Sequence, residues 1–144
     1  MYKRQNQYCE PTVPNSIGEL ATVSLFGSNE IAANNLTVRV NGLPAGQFAL
    51  LLASKDQGFT PNPGGNIGNL CLAGDIGRFT DDVFLSSSLG SGEIALDLNN
   101  IPQSNGTVAV QPGETWNFQV WYRNFVFEPI VTTHLTEAVS ITFP

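Results

Sequence analysis

The side chains best suited to binding chemistry lie on one nine-residue segment, 115–123, with the sequence TWNFQVWYR. Successive side chains of a strand point to opposite faces, so Asn117, Gln119, Trp121 and Arg123 share one face. An indole beside amides suits a carbohydrate, because a sugar's C–H face stacks on the ring while amides bind its hydroxyls. These four residues form the predicted ligand site. The alternative is that a loop or neighbouring strand covers Trp121, with Arg123 stacked on it as a cation–π pair.

Oxygen-bearing side chains near predicted strand ends provide a second candidate chemistry, the binding of calcium. Calcium takes carboxylate and carbonyl oxygens from loops. The candidate ligands are Asp81, Asp82, Asp97 and Asn99, with Asp75 and Asn100 nearby. Their spacing matches no EF-hand loop, and the simpler interpretation is that they are solvated acids and turn-forming Asx residues. No other cofactor is expected.

Catalytic chemistry has little support in the residues. Nucleophilic hydrolysis needs an oriented base, and the chain has one histidine, His134, just before the last predicted strand and without a G-x-S-x-G elbow. The adjacent acids Asp81 and Asp82 point to opposite faces of an extended chain. Glycosidase chemistry would need two distant acids to converge. The sequence therefore predicts a protein that is not an enzyme.

Two cysteines, Cys9 and Cys71, form neither a CxxC pair nor a zinc motif, since no histidine lies near them. A disulfide between them is the simplest interpretation, with two unpaired thiols as the alternative. Disulfides persist in oxidising compartments, so this pair favours a secreted or cell-surface protein.

Composition limits the classes of partner. The net charge is −6, and beyond residue 5 the basic residues are only Arg39, Lys55, Arg78 and Arg123. Nucleic acid and anionic membrane surfaces both require clustered Lys or Arg, so neither is an expected partner. The longest apolar run, 48–53, has the length of a strand, so no membrane insertion is expected.

Strand patterns recur along the whole chain. Nine prolines and fourteen glycines interrupt it too often for ordinary helices, whereas apolar and polar residues alternate in short runs. Strands are predicted at 20–26, 36–40, 48–53, 70–72, 83–85, 94–96, 108–110, 115–123 and 135–143. The residues 54–68 are predicted to be the longest loop. About eight or nine short strands predict an all-β fold, a two-sheet antiparallel β-sandwich of the immunoglobulin-like or jelly-roll type.

The first residues, MYKRQ, contain two of the six basic residues and resemble translated adapter sequence found at the ends of environmental reads. We therefore expect residues 1–7 to be a foreign or disordered extension and residues 8–144 to form a single β-sandwich domain. On this interpretation the natural protein extends further upstream.

Several segments together carry a family resemblance. They are Tyr8, Cys9, Asn15, GNLCLAG and IGRF within 68–79, PGETWNFQVWYR at 112–123 and TEAVSITF at 136–143. With this PGxTWNFQxWYR motif the chain resembles a C-terminal β-sandwich module of large secreted bacterial proteins, a family without an assigned activity. The resemblance spans nearly the whole chain and implies an extracellular location and an upstream domain of the same polypeptide as partner. Asn124 stands where the family usually has Asp, so no acidic role is carried over there.

These observations predict a non-catalytic extracellular accessory module for adhesion or attachment, appended to a larger secreted protein. One alternative is a carbohydrate-binding module that uses Trp121 to bind polysaccharide or a cell-surface glycan. Another is a structural subunit that self-associates through strand edges poor in lysine, since charge normally blocks such pairing.

Overall fold

The chain folds into a β protein, as predicted from its short runs of alternating apolar and polar residues. The computed structural model describes residues 5–10, 12–127 and 130–144, and for residues 125–127 and 130 the backbone alone. Within this part of the chain there are thirteen strands and three short 3-10 turns. None of the helical segments described is long and apolar enough to cross a membrane. The strands are β1 (Asn6–Tyr8), β2 (Thr22–Phe26), β3 (Thr37–Asn41), β4 (Phe48–Ser54), β5 (Asp56–Pro61), β6 (Asn69–Ala73), β7 (Gly77–Arg78), β8 (Phe84–Leu85), β9 (Gly92–Ala95), β10 (Ile101–Gln103), β11 (Gly106–Val108), β12 (Thr115–Phe127) and β13 (Ile130–Thr142).

The strands form two main sheets and two separate hairpins. Sheet A has six strands in the order β1-β13-β12-β4-β7, with β8 also paired to β4, and sheet B has the order β2-β3-β9. The hairpins are β5-β6 and β10-β11, and the pairings within all four units are antiparallel. This arrangement confirms the predicted all-β sandwich, with more strands than the eight or nine expected and with β12 and β13 extended to 13 residues each.

The main core lies between sheets A and B. The predicted core face of β12 is confirmed, because Trp116, Phe118, Val120 and Tyr122 are all fully buried. The buried residues of sheet B in the same cluster are Val23, Leu25, Val38, Val40 and Ile94. Burying one such side chain contributes about 1.5–3 kcal/mol relative to leaving it exposed, so this cluster is the main source of stability.

A third layer covers the other face of sheet A and corrects the prediction for 54–68. That segment contains β5, which pairs with β6 in what we call the covering hairpin, followed by a 3-10 turn at Pro63–Gly65. Its register shifts between Gln57 and Thr60, which removes the strict alternation that would have indicated a strand. Gly58 lies in the irregularity, where an added Cβ would come within 2.8 Å of the Ala73 Cβ.

The covering hairpin is fixed to sheet A by the predicted disulfide. Cys9, just after β1, is bonded to Cys71 in β6, with the two Cα atoms 5.7 Å apart. Below the hairpin, a second apolar cluster contains the buried side chains Leu52, Leu72 and Leu135. Sheet A is therefore covered on both faces, and its outer face is an interior surface for much of its length.

The ordered part of the fold begins closer to the N-terminus than expected. Residues 6 and 7, assigned above to a foreign or disordered extension, pair with β13 as part of β1. The Gln5 side chain exchanges two hydrogen bonds of 2.8 Å with the backbone of Leu25, and Gln7 Nε2 donates to the Val23 carbonyl at 2.9 Å. These contacts extend the ordered region to residue 5. Residues 1–4 lie outside the described residues.

Candidate functional site

The predicted ligand residue Gln119 is a buried structural link. It is fully buried, and its Oε1 accepts a hydrogen bond of 3.0 Å from the Cys71 backbone N–H. Its Nε2 donates to the carbonyls of Asn69 and Thr136 at 2.8 and 2.7 Å. One amide thus joins β12 to β6 on one side and β13 on the other, and its hydrogen-bonding capacity is used within the protein.

Asn117 is buried in the same way. It is 1% exposed, donates from Nδ2 to the Ser54 carbonyl at 3.2 Å and accepts a 3.0 Å bond from Gln57 Nε2 of the covering hairpin. The prediction that Asn117 and Gln119 face a ligand is therefore wrong. The physical reason is that the covering hairpin lies over this half of β12, and strand alternation alone cannot distinguish solvent from a third layer.

Trp121 lies farther along β12, where the cover is incomplete. Its side chain is half-buried, and its Nε1 donates to Asn66 Oδ1 at 3.0 Å. It forms one wall of a cleft of about 500 Å³. The residues lining this cleft are Leu50, Leu52, Pro63, Asn66, Leu70, Ile76, Arg78, Trp121 and Leu135. Of the four predicted ligand residues, Trp121 alone lines it.

Arg123 is exposed and takes a different partner from the one considered above. Its guanidinium carbon lies 5.8 Å from the centroid of the Phe48 ring, within the range of a cation–π contact. The alternative given above, in which a loop covers Trp121 and Arg123 stacks on it, is thus half correct. A loop partly covers the indole, but Arg123 stacks on Phe48 instead. Arg123 is separate from the cleft lining.

The polar groups of the cleft are few, and one of them is already engaged. Asn66 Oδ1 accepts hydrogen bonds from Trp121 and from the Thr133 hydroxyl, and Asn66 Nδ2 donates to the Pro63 carbonyl at 2.8 Å. Arg78, on β7, is exposed, and its guanidinium has neither an ion pair nor a hydrogen bond with the residues that the structure describes. Among the described residues that line the cleft, Arg78 is the one with a charged side chain.

The predicted calcium ligands lie in turns. Asp97 accepts hydrogen bonds from Asn100 Nδ2 at 2.8 Å, from the Asn99 backbone N–H at 3.0 Å and from Asn34 Nδ2 at 3.3 Å. These bonds, with that from Asn100 the largest, hold the pKa of Asp97 below its ordinary value. The geometry is that of a turn-forming Asx residue.

The remaining calcium candidates, Asp81 and Asp82, are exposed in the 3-10 turn Thr80–Asp82. Over the ranges described, no three His, Cys, Asp or Glu side chains come close enough together to hold a metal ion.

His134 is a buried strand residue, which corrects its predicted place before the last strand. β13 begins at Ile130, so His134 pairs with Tyr122 inside sheet A and is 3% exposed. Its Nε2 is 3.0 Å from Asn124 Nδ2, which can donate only to an unprotonated ring nitrogen. Burial also lowers the pKa of His134. Asn124 in turn accepts a 2.9 Å bond from the Ser16 N–H, so the histidine belongs to a structural contact with the N-terminal segment.

One pair of acids that the sequence could not bring together does converge. Glu10 and Glu137 line two grooves of about 540 and 570 Å³ beside β1 and β13. Burial raises the pKa of Glu137, and the charge of Glu10 raises it further. No pattern links residues so far apart in the chain. Two converging acids are what glycosidase chemistry would need, and the other described residues that line the grooves are uncharged.

In comparisons with known proteins, no family model and no curated protein matches the chain. We therefore base the functional proposal on the cleft.

Proposed function

We propose that this chain is a non-catalytic extracellular attachment module that binds its ligand in the cleft beside Trp121. The supporting observation is the cleft itself, a space of about 500 Å³ with an indole wall and a largely aliphatic lining. Small-molecule sites typically measure about 300–1,000 Å³ and combine an apolar lining with few polar groups. The disulfide is compatible with the extracellular location, which remains part of the proposal.

The cleft is preformed, which favours a binding role. Trp121 is oriented by its hydrogen bond to Asn66, and the 62–68 loop that carries Asn66 is joined to β13 through paired backbone bonds between Ile67 and residues 133 and 135. The covering hairpin is fixed by the Cys9–Cys71 bond. A ligand entering such a site pays little for ordering side chains, which is the usual advantage of preorganisation.

Carbohydrate binding is less well supported than attachment through an apolar contact. A sugar needs directional partners for its hydroxyls, yet the amides of Asn117, Gln119 and Asn66 are all engaged within the protein.

Self-assembly through strand edges also has little support. Sheet A ends in β1, β7 and β8, strands of three, two and two residues, and the edge of β2 is occupied by Gln5 and Gln7. Short and covered edges offer few free backbone groups for pairing.

The test uses N-phenyl-1-naphthylamine, a neutral apolar fluorophore, as the probe. We expect saturable binding at one site with enhanced fluorescence, and loss of that binding in Trp121→Ala and in Leu70→Trp, which fills the cleft instead of emptying it. Phe59→Ala is the matched control, because Phe59 is an aromatic residue, 59% exposed, outside the cleft lining.

Circular dichroism and the thermal midpoint establish that each variant is folded. Absence of saturable binding to the wild type, or wild-type binding by both folded cleft variants, would refute the proposed function.

A further inference from the structure

The lining of the cleft indicates what kind of ligand it takes. Apart from Trp121, Pro63, Asn66 and Arg78, the lining residues are aliphatic: Leu50, Leu52, Leu70, Ile76 and Leu135. These side chains can offer only dispersion and the hydrophobic effect. The body of the ligand must therefore be aliphatic or aromatic.

Arg78 adds one requirement for charge. Of the four cations beyond residue 5, Arg39 and Lys55 pair with Glu93 and Glu114, and Arg123 lies over Phe48. Arg78 alone among them has no such partner within the described chain, although the protein carries a net charge of −6. A guanidinium beside an apolar surface is well suited to bind a carboxylate through paired N–H donors.

The sheet register sets the distance between the two ends of the site. Trp121 on β12 is paired with Leu50 on β4, and Leu52 on the same face of β4 is paired with Arg78 on β7. The backbones of β12 and β7 are two strand spacings apart, about 10 Å. A ligand that stacks on the indole and crosses the two leucines would therefore place its far end at Arg78.

From these observations we infer that the cleft takes a small amphiphilic carboxylate, with its apolar body against Trp121 and its anionic group at Arg78. This inference rests on the proposed function, since it names the ligand class of the same cleft. It differs from the carbohydrate hypothesis in the number of polar partners required: one anion is matched by one free guanidinium, whereas a set of hydroxyls has no matching set of free amides.

The experiment compares decanoate with 1-decanol, two ligands with the same ten-carbon body, as competitors of N-phenyl-1-naphthylamine. We expect decanoate to displace the probe at a concentration roughly tenfold lower than decanol, the effect of one partly exposed charge-assisted contact. Arg78→Gln should abolish that preference, measured in the variant as the ratio of the two displacing concentrations, and Arg78→Lys should retain part of it. Arg123→Gln is the matched control, because it removes an exposed arginine outside the cleft.

Each outcome bears on one of the two proposals. Equal displacement by decanoate and decanol in the wild type, or a preference that survives Arg78→Gln, would overturn the carboxylate assignment while leaving the cleft as a binding site. Failure of the wild type to bind the fluorophore at all would refute the proposed function, and the assignment with it.

Discussion

Replacing Gln119 with leucine should destabilise the protein severely, because Gln119 connects three strands from the interior. The substitution keeps a side chain of similar size but removes the bonds to Cys71 N–H and to the Asn69 and Thr136 carbonyls. Each bond contributes about 1 kcal/mol net, and a buried group left without a partner costs about 1–3 kcal/mol. We expect a loss of at least about 3 kcal/mol in the free energy of unfolding, which lowers the thermal midpoint by roughly 10 °C.

Urea unfolding of the oxidised protein is the appropriate assay, because it separates a change of midpoint from a change in the surface exposed on unfolding. Gln111→Leu is the matched control, since Gln111 is exposed and the chemical change is the same. A loss at Gln119 that equals the loss at Gln111 would refute the structural role assigned to the amide. It would also reopen the possibility that this face of β12 meets a ligand.

Two further predictions concern the disulfide and a buried acid. Replacing Cys9 and Cys71 together by alanine should lower the free energy of unfolding by about 4 kcal/mol, since the bridge closes a loop between residues 62 apart in sequence. Urea unfolding measures this loss, and a value below about 1 kcal/mol would contradict the expected effect of the disulfide. Burial raises the pKa of Glu137 above its ordinary value of 4.5, so its contribution to stability is present below that pH and is lost as pH rises through the raised pKa. Glu137→Gln should therefore remove this loss of stability with rising pH when the free energy of unfolding is measured from pH 4 to pH 7. An unchanged pH profile would contradict the raised pKa of Glu137.

The main core of the fold could be predicted from the sequence because apolar and polar residues alternate along its strands. In β12 the alternation of Trp116, Phe118, Val120 and Tyr122 with polar neighbours identified the buried face correctly. The two cysteines were paired correctly because no metal motif competed for them. Periodicity is a local signal, and pairing two cysteines needs only their number and the lack of a metal motif, so neither inference requires knowledge of the tertiary arrangement.

The candidate site could be predicted only in part, because its position depends on a layer with no periodic signal. The covering hairpin has an irregular register around Gly58, and its prolines and glycines are typical of a loop. Polar residues opposite an apolar face ordinarily indicate solvent exposure. In this chain the polar side chains serve the interior. Gln119 bonds the hairpin backbone at Cys71 and Asn69. Asn117 bonds the Gln57 side chain of the hairpin and the Ser54 carbonyl of β4.

Gln119 and Trp121 lie two residues apart on one face, but Gln119 is buried and Trp121 is half-buried. This difference follows from where the hydrogen bonds to the β6 backbone end. Over Gln119 the backbone of β6 lies close enough to accept and donate hydrogen bonds directly. At Trp121 the hydrogen bond comes instead from the Asn66 side chain, in the loop that connects β5 to β6, and the cleft lies beside the indole. A strand face that is continuous in sequence is therefore divided into a half covered by the hairpin and a half that lines the cleft. The boundary between them is set by the same hairpin that the disulfide anchors to sheet A, so the shape of the cleft depends on the position of that hairpin.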